Sequence, residues 1–233
     1  MESSTRIISY KATLRVKRLL NTYSGNLKTS KAKIINYALY EIFIKNSKKA
    51  TASIIADYIT SNNLDLKKDN YTLHILIEYY DRIVKLKEEV QIINKTDYHD
   101  NEFLGILLSF YFDKFSFLRK KKVNEYLKEN HKPSQIGLYL NKELKCRINE
   151  LCKIYQLNAG MLIFDILTDL NLGKLPFKSF PEDVIIESEK KERIIIYLPS
   201  FIHDELNNLP LSNSFITEIR SEQYLTKYKL KKG

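Results

Sequence analysis

The sequence predicts a mainly α chain with short β-ribbons, built from tandem strand–helix–helix units that pair with one another inside the chain. Three observations predict it. At "RIIIYLPSFIHDEL" (Arg193–Leu206) the apolar residues switch from strand alternation to helical spacing within a few positions. The same switch recurs upstream at near-constant intervals. Gly (6) and Pro (5) are scarce among 233 residues, which favours long helices over the tight hairpins of an all-β fold.

Taking Leu198 as the last inward residue of its strand, the core positions are Ile194 and Ile196 before it and Ile202, Leu206 and Leu209 after it. The first set is strand alternation and the second is one helix face. In chain order, the same template fits four times. The first unit, about residues 6–46, has anchor Ala12, strand residues Ile8 and Tyr10, helix residues Val16, Leu20 and Tyr23, and a second helix capped near Thr29. A linking helix follows at Thr51–Asn62. The second unit, about 70–115, has anchor Ile75, strand residues Tyr71 and Leu73, and a longer first helix with Tyr79, Ile83 and Leu86 that runs through Ile93. Its second helix is expected to be capped by Asp100 and to bury Phe103, Leu104 and Leu107. A basic linking helix is expected at Ser116–Asn130, carrying the Arg119–Lys122 run. The third unit, about 134–171, has anchor Leu140, with Ile136, Leu138, Leu144, Ile148 and Leu151, and a second helix capped by Asn158 that buries Met161, Leu162 and Ile166. A loop broken by Pro176 and Pro181 covers Gly173–Asp183. The fourth unit, about 191–226, ends in a helix capped by Ser212 that buries Phe215, Ile216 and Ile219, and a basic tail follows. The anchors lie 63, 65 and 58 residues apart, a near-constant period that marks a diverged repeat.

A lone strand leaves its backbone groups and its apolar face without partners. Two such units solve both problems by pairing their strands antiparallel over four helices. The expected organisation is therefore an N-terminal pair in residues 1–132 and a C-terminal pair in 133–233. "SQIGLYLNKELKCRINELCKIYQLNAGMLIFDILTDL" (Ser134–Leu170) and "KERIIIYLPSFIHDELNNLPLSNSFITEIRSEQYL" (Lys191–Leu225) resemble the ribbon-helix-helix superfamily of the MetJ/Arc type. The resemblance implies tandem ribbon-helix-helix units forming intramolecular pseudo-dimers. It also implies a two-stranded ribbon inserted into the DNA major groove, whose width admits it.

The resemblance maps base-reading roles onto the outward strand residues. These are Ile7, Ser9 and Lys11; Asn70, Thr72 and His74; Gln135, Gly137 and Tyr139; and Arg193, Ile195 and Tyr197. Lys and Arg bond guanine, Asn and Gln bond adenine, and Thr offers a methyl and a hydroxyl. Gly137 has no side chain, and Ile195 is apolar where the family has a polar reader. The readers expected are thus Ser9, Lys11, Asn70, Thr72, His74, Gln135, Tyr139, Arg193 and Tyr197. The resemblance further implies phosphate binding at second-helix N-termini, where free N–H groups and the helix dipole attract anions. The candidates are Lys28, Thr29, Ser30, Lys31 and Lys33; Asn158 with Ala159; and Ser212 with Asn213. The acidic "DYHDNE" (Asp97–Glu102) is expected to repel a phosphate.

Net charge is +10 and unevenly spread. Residues 1–50 hold 11 Lys and Arg against 2 acids, and 51–100 hold 6 against 9. Patchy positive charge is the footprint of an anionic partner. Cys146 and Cys152 do not have metal spacing, and His74, His99, His131 and His203 form no ligand cluster, so neither metal nor cofactor is expected. No P-loop, dinucleotide fingerprint or zinc-protease motif occurs. Without a secretory pattern or a long apolar run, a reduced cytoplasmic compartment is expected.

The function expected is therefore non-enzymatic, sequence-specific binding of double-stranded DNA. It would serve transcriptional repression, plasmid or mobile-element maintenance, or an accessory role in conjugation. The alternative is a helical protein-interaction or oligomerisation module in which only the basic N-terminal half touches DNA. A second copy of the chain, or another DNA-bound protein, is the further partner either reading leaves open.

Overall fold

The computed structural model describes residues 5–115, 133–169, 172 and 190–228. Over these the chain is mainly helical with two small antiparallel sheets. In order it forms β1 (Thr5–Thr13), α1 (Leu14–Asn26), α2 (Lys31–Tyr40), a π-helical extension (Glu41–Lys45), a short 3-10 turn (Ser47–Lys49), α3 (Ala52–Ser61), β2 (Leu66–Leu76), α4 (Ile77–Asn94) and α5 (Asp100–Lys114). Then come β3 (Pro133–Asn141), α6 (Lys142–Ile154), α7 (Ala159–Thr168), β4 (Lys191–Pro199), α8 (Ser200–Asn207) and α9 (Asn213–Lys227). The expected helix at 116–130, the Arg119–Lys122 run, the 173–183 loop and the basic tail lie outside the described residues.

β1 pairs with β2 and β3 with β4, both antiparallel. Side chains alternate across a strand, so one face of each ribbon is inward. Ile8, Tyr10, Ala12, Leu73 and Ile75 of the first ribbon are buried, as are Ile136, Leu138, Leu140, Ile196 and Leu198 of the second. Each first helix covers this face with one stripe: Val16, Leu20 and Tyr23 on α1, Tyr79, Ile83, Leu86 and Val90 on α4, Leu144, Ile148 and Leu151 on α6. The second helices are more central. In α5 every residue from Phe103 to Phe112 is buried, and in α7 every residue from Gly160 to Thr168. That is why their sequences read as apolar runs without a polar face.

Side chains stop and start the helices as their chemistry dictates. Thr13, Asn158 and Ser212 accept from the backbone N–H groups of Val16, Met161 and Phe215, and Asn141 accepts from those of Glu143 and Leu144. Two starts differ from expectation. The cap of α2 is Ser30, one residue beyond Thr29, because Thr29 is buried and its carbonyl accepts from the Ser24 hydroxyl. The cap of α5 is His99, whose N–H donates to Glu102, so Asp100 is the first helical residue. In the α1–α2 and α6–α7 turns Lys28 and Gln156 adopt left-handed backbone, φ 44° and 52°, at equivalent places in their units.

Both ribbons have their edges closed by second helices. α5 lies along β1 so closely that a Cβ on Gly105 would sit 1.7 Å from the Lys11 carbonyl oxygen. Strand carbonyls point along the plane of the sheet, so this contact is edge-on. On β2 the Asn36 amide of α2 donates to the His74 carbonyl (3.3 Å). On β3 the backbone N–H groups of Tyr139 and Asn141 donate to Ser214 Oγ (2.8 Å) and Glu218 Oε1 (2.6 Å) of α9. On β4 the Tyr197 carbonyl lies against Gly160 of α7. Unpaired edge groups invite foreign strands, and each of these contacts blocks one.

The N- and C-terminal halves meet through a buried cluster at the end of α2. Lys45 Nζ bonds Asp165 (2.5 Å), Glu41 (3.0 Å) and Asp169 (3.3 Å), with its side chain 5% exposed. Tyr37 and Asn46 donate to Glu41, Tyr224 to Asp165 and Tyr228 to Asp169. The Tyr40 ring packs on Tyr155, 5.1 Å between centroids. Burial and the neighbouring Asp165 push the Glu41 carboxyl up to about 7. Burial pulls Lys45 down, but Asp165, Glu41 and Asp169 outweigh it and hold the ammonium well above its ordinary value.

Candidate functional site

With the inner faces buried and the edges closed, the outer ribbon faces are the parts of the sheets left to meet a partner. On the first ribbon the register sets Ile7 opposite His74, Ser9 opposite Thr72 and Lys11 opposite Asn70. Thr72, His74 and Asn70 are exposed, Ser9 and Lys11 half-buried. Two of these groups already have partners. Lys11 Nζ bonds Glu102 Oε1 at 2.8 Å, and Asn70 Oδ1 accepts from the Asn101 amide at 3.1 Å. The Lys11 hydrogen bond holds the Glu102 carboxyl below its ordinary value. The acids of the "DYHDNE" run are thus locally bonded. Asp100 takes bonds from Lys87 and Tyr80, and Asp97 takes one from Gln91.

The second ribbon's face has another chemistry. Gln135 stands opposite Tyr197, Gly137 opposite Ile195 and Tyr139 opposite Arg193. Arg193 folds over the bare Gly137 backbone, where a Cβ would come within 2.9 Å of its Nε. Tyr139 and Ile195 are 52% and 51% exposed. Cations flank both ends of the ribbon. Lys28 Nζ sits 4.5 Å from the Tyr197 ring centre, close enough for a cation–π contact, while Lys142 and Lys190 adjoin the paired Asn141 and Lys191 at the far end.

The Lys28 contact joins the expected phosphate site of the first half to the ribbon of the second. The α1–α2 turn carries Lys28, Ser30 and Lys31, exposed around the α2 N-terminus. Lys33 reaches instead to the Gln156 carbonyl (3.0 Å), in the turn that leads to the Asn158 cap. The N-terminus of α2 thereby adjoins that of α7. Thr29, also expected there, is buried, and its carbonyl accepts from the Ser24 hydroxyl. Ser212 spends its hydroxyl oxygen on Phe215, and Asn213 donates to Asn207. That leaves the α2 end as the most cationic of the expected sites.

Sequence reasoning missed the groups that brace the faces: Asn101 and Glu102 behind the first ribbon, Ser214 and Glu218 along the second. It also missed the Lys45 cluster, although one signal was present. Asp165 interrupts the otherwise apolar "AGMLIFDILT", and an acid within such a helix needs a buried cation. Among the described residues no group of His, Cys, Asp and Glu is arranged to hold a metal ion, and no helix is long and apolar enough to cross a membrane. No family model, curated protein or solved structure matches the chain.

Proposed function

We propose that the chain is a sequence-specific, non-enzymatic binder of double-stranded DNA, made of tandem ribbon-helix-helix units that form two pseudo-dimers within one chain. One observation carries this reading. The outer face of the first ribbon presents Ser9, Lys11, Asn70, Thr72 and His74 together, in register, with Asn70, Thr72 and His74 exposed and Ser9 and Lys11 half-buried. Those side chains supply the donors and acceptors that base edges require, on an element of the width the major groove admits. The Lys-rich N-terminus of α2 beside it suits a phosphate. Two ribbons in one chain, joined through the Lys45 cluster, would engage neighbouring subsites with the second contact made at high effective concentration.

The test is selection from a random duplex pool by the full-length protein, followed by titration at several salt concentrations. One motif should be enriched, and affinity should fall steeply with salt as phosphate counterions are released. Lys11→Ala should relax preference at one base pair, at a cost of about 1–3 kcal/mol. Lys31→Ala should weaken every duplex alike and reduce the salt slope by about one. Binding that ignores salt, or no binding at all, would sink the proposal. The second reading, a protein-binding C-terminal ribbon, is favoured by exposed Ile195 and Tyr139; it requires that substitutions there leave DNA affinity unchanged.

A further inference from the structure

Both outer faces contain an isoleucine that the fold leaves bare. Ile7 is 63% exposed and Ile195 51%. Neither is needed for the core, whose inward strand residues already fill it, and at 25 cal/mol per Å² or so each forgoes much of its burial energy. Ile195 stands at the centre of its face, opposite a residue with no side chain, so nothing on the facing strand shields it. Around it are hydrogen-bonding groups, Arg193, Gln135 and Tyr197, and at the two ends of the ribbon the cations Lys28, Lys142 and Lys190. Ile195 is thus an apolar point inside a cationic frame. It suits an anionic partner with small apolar features, and the floor of the major groove has one such feature, the 5-methyl group of thymine.

We infer that Ile7 and Ile195 are specificity-determining residues that each read a thymine by packing on its 5-methyl group. This rests on the duplex-binding reading above. Gly137 is then functional rather than a gap. Its missing side chain lets Arg193 lie over the backbone there and leaves Ile195 without a facing side chain. The recognised site contains at least two thymines whose methyl groups matter, one under each ribbon.

The experiment replaces thymine by uracil, one position at a time, in the duplex enriched by the full-length protein. This exchange removes the methyl group and leaves the base-pairing edge intact. Binding should fall about fourfold at one position for each isoleucine, roughly the worth of one buried carbon. Ile195→Ala should bind the thymine and uracil duplexes equally at its position, and Ile7→Ala should do the same at its own. Both residues are on the surface, so folding is not at stake. Equal affinity for thymine and uracil everywhere would overturn the inference and leave duplex binding standing. So would a uracil penalty that survives both substitutions. Failure to retain any duplex at low salt would overturn both.

Discussion

At the middle of the β1–β2 face stands Ser9 opposite Thr72; at the middle of the β3–β4 face stands Gly137 opposite Ile195. The two ribbons are otherwise held alike, with apolar inner faces and edges closed by second helices. The scaffold fixes which atoms point outward and leaves their chemistry free. The ribbons differ also in what braces those atoms. Lys11 and Asn70 are held from within their own half, by Glu102 and Asn101 of α5. Tyr197 is held from the opposite half, by Lys28. The first face is thus preset by its own helix, while the second depends on how the halves are docked.

The largest expected effect breaks that docking. Lys45→Met leaves Glu41, Asp165 and Asp169 buried without their cation, and should cost about 3–5 kcal/mol in denaturant unfolding. Glu41→Gln is its milder counterpart. The Glu41 carboxyl is raised from 4.5 to about 7 in the fold, so its contribution is fully present below pH 4.5 and is lost as pH rises through 7. Wild-type stability should therefore drop by something on the order of 3 kcal/mol across that window, and Glu41→Gln should remove the drop, its single amide oxygen keeping one of the bonds that Tyr37 and Asn46 donate to the two carboxylate oxygens.

A smaller effect separates edges from faces. Gly105→Ala drives a methyl into the Lys11 carbonyl, which is backbone and cannot yield, so it should cost about 3 kcal/mol. Gly137→Ala meets only the end of the flexible Arg193 side chain and should stay within about 0.5 kcal/mol, the range of ordinary surface changes. Comparable costs at the two glycines, read from thermal unfolding, would show that the Lys11 carbonyl can give way to a methyl group. The smallest effect concerns the first face alone. Glu102→Gln releases Lys11 from its carboxylate and should raise duplex affinity about two- to fivefold at low salt, the usual scale of one half-exposed ion pair. No change would mean that Lys11 does not reach the DNA.

Much of the fold was legible in the sequence because periodicity reports burial directly. Ile8, Tyr10 and Ala12, and Ile136, Leu138 and Leu140, alternate as inward strand residues, and the caps at Asn158 and Ser212 stand where their side chains accept backbone bonds. Periodicity carries no information about edges. Nothing in the spacing says that Gly105 is a glycine because a carbonyl lies against it, or that Ser214 and Glu218 reach strand amides 75 and 77 residues away. The start of β2 at Leu66 was hidden for a related reason, since "LKKDN" has no inward apolar pattern and is strand only because β1 continues opposite it as far as Thr13. Among the candidate site residues, those on strands were placed by alternation alone. Thr29 was not, because whether a turn hydroxyl faces solvent depends on the packing of the turn.

Pairing strands within one chain has a last consequence. Two identical chains would put the same residues on both strands of a ribbon, and the face would look the same after a half-turn. Here Ile7, Ser9 and Lys11 face His74, Thr72 and Asn70, and no half-turn exchanges them. The face has a head and a tail. On the reading proposed above, a duplex bound to it is held one way round. The recognised sequence then need not be a palindrome, and the protein marks a direction along the DNA as well as a place.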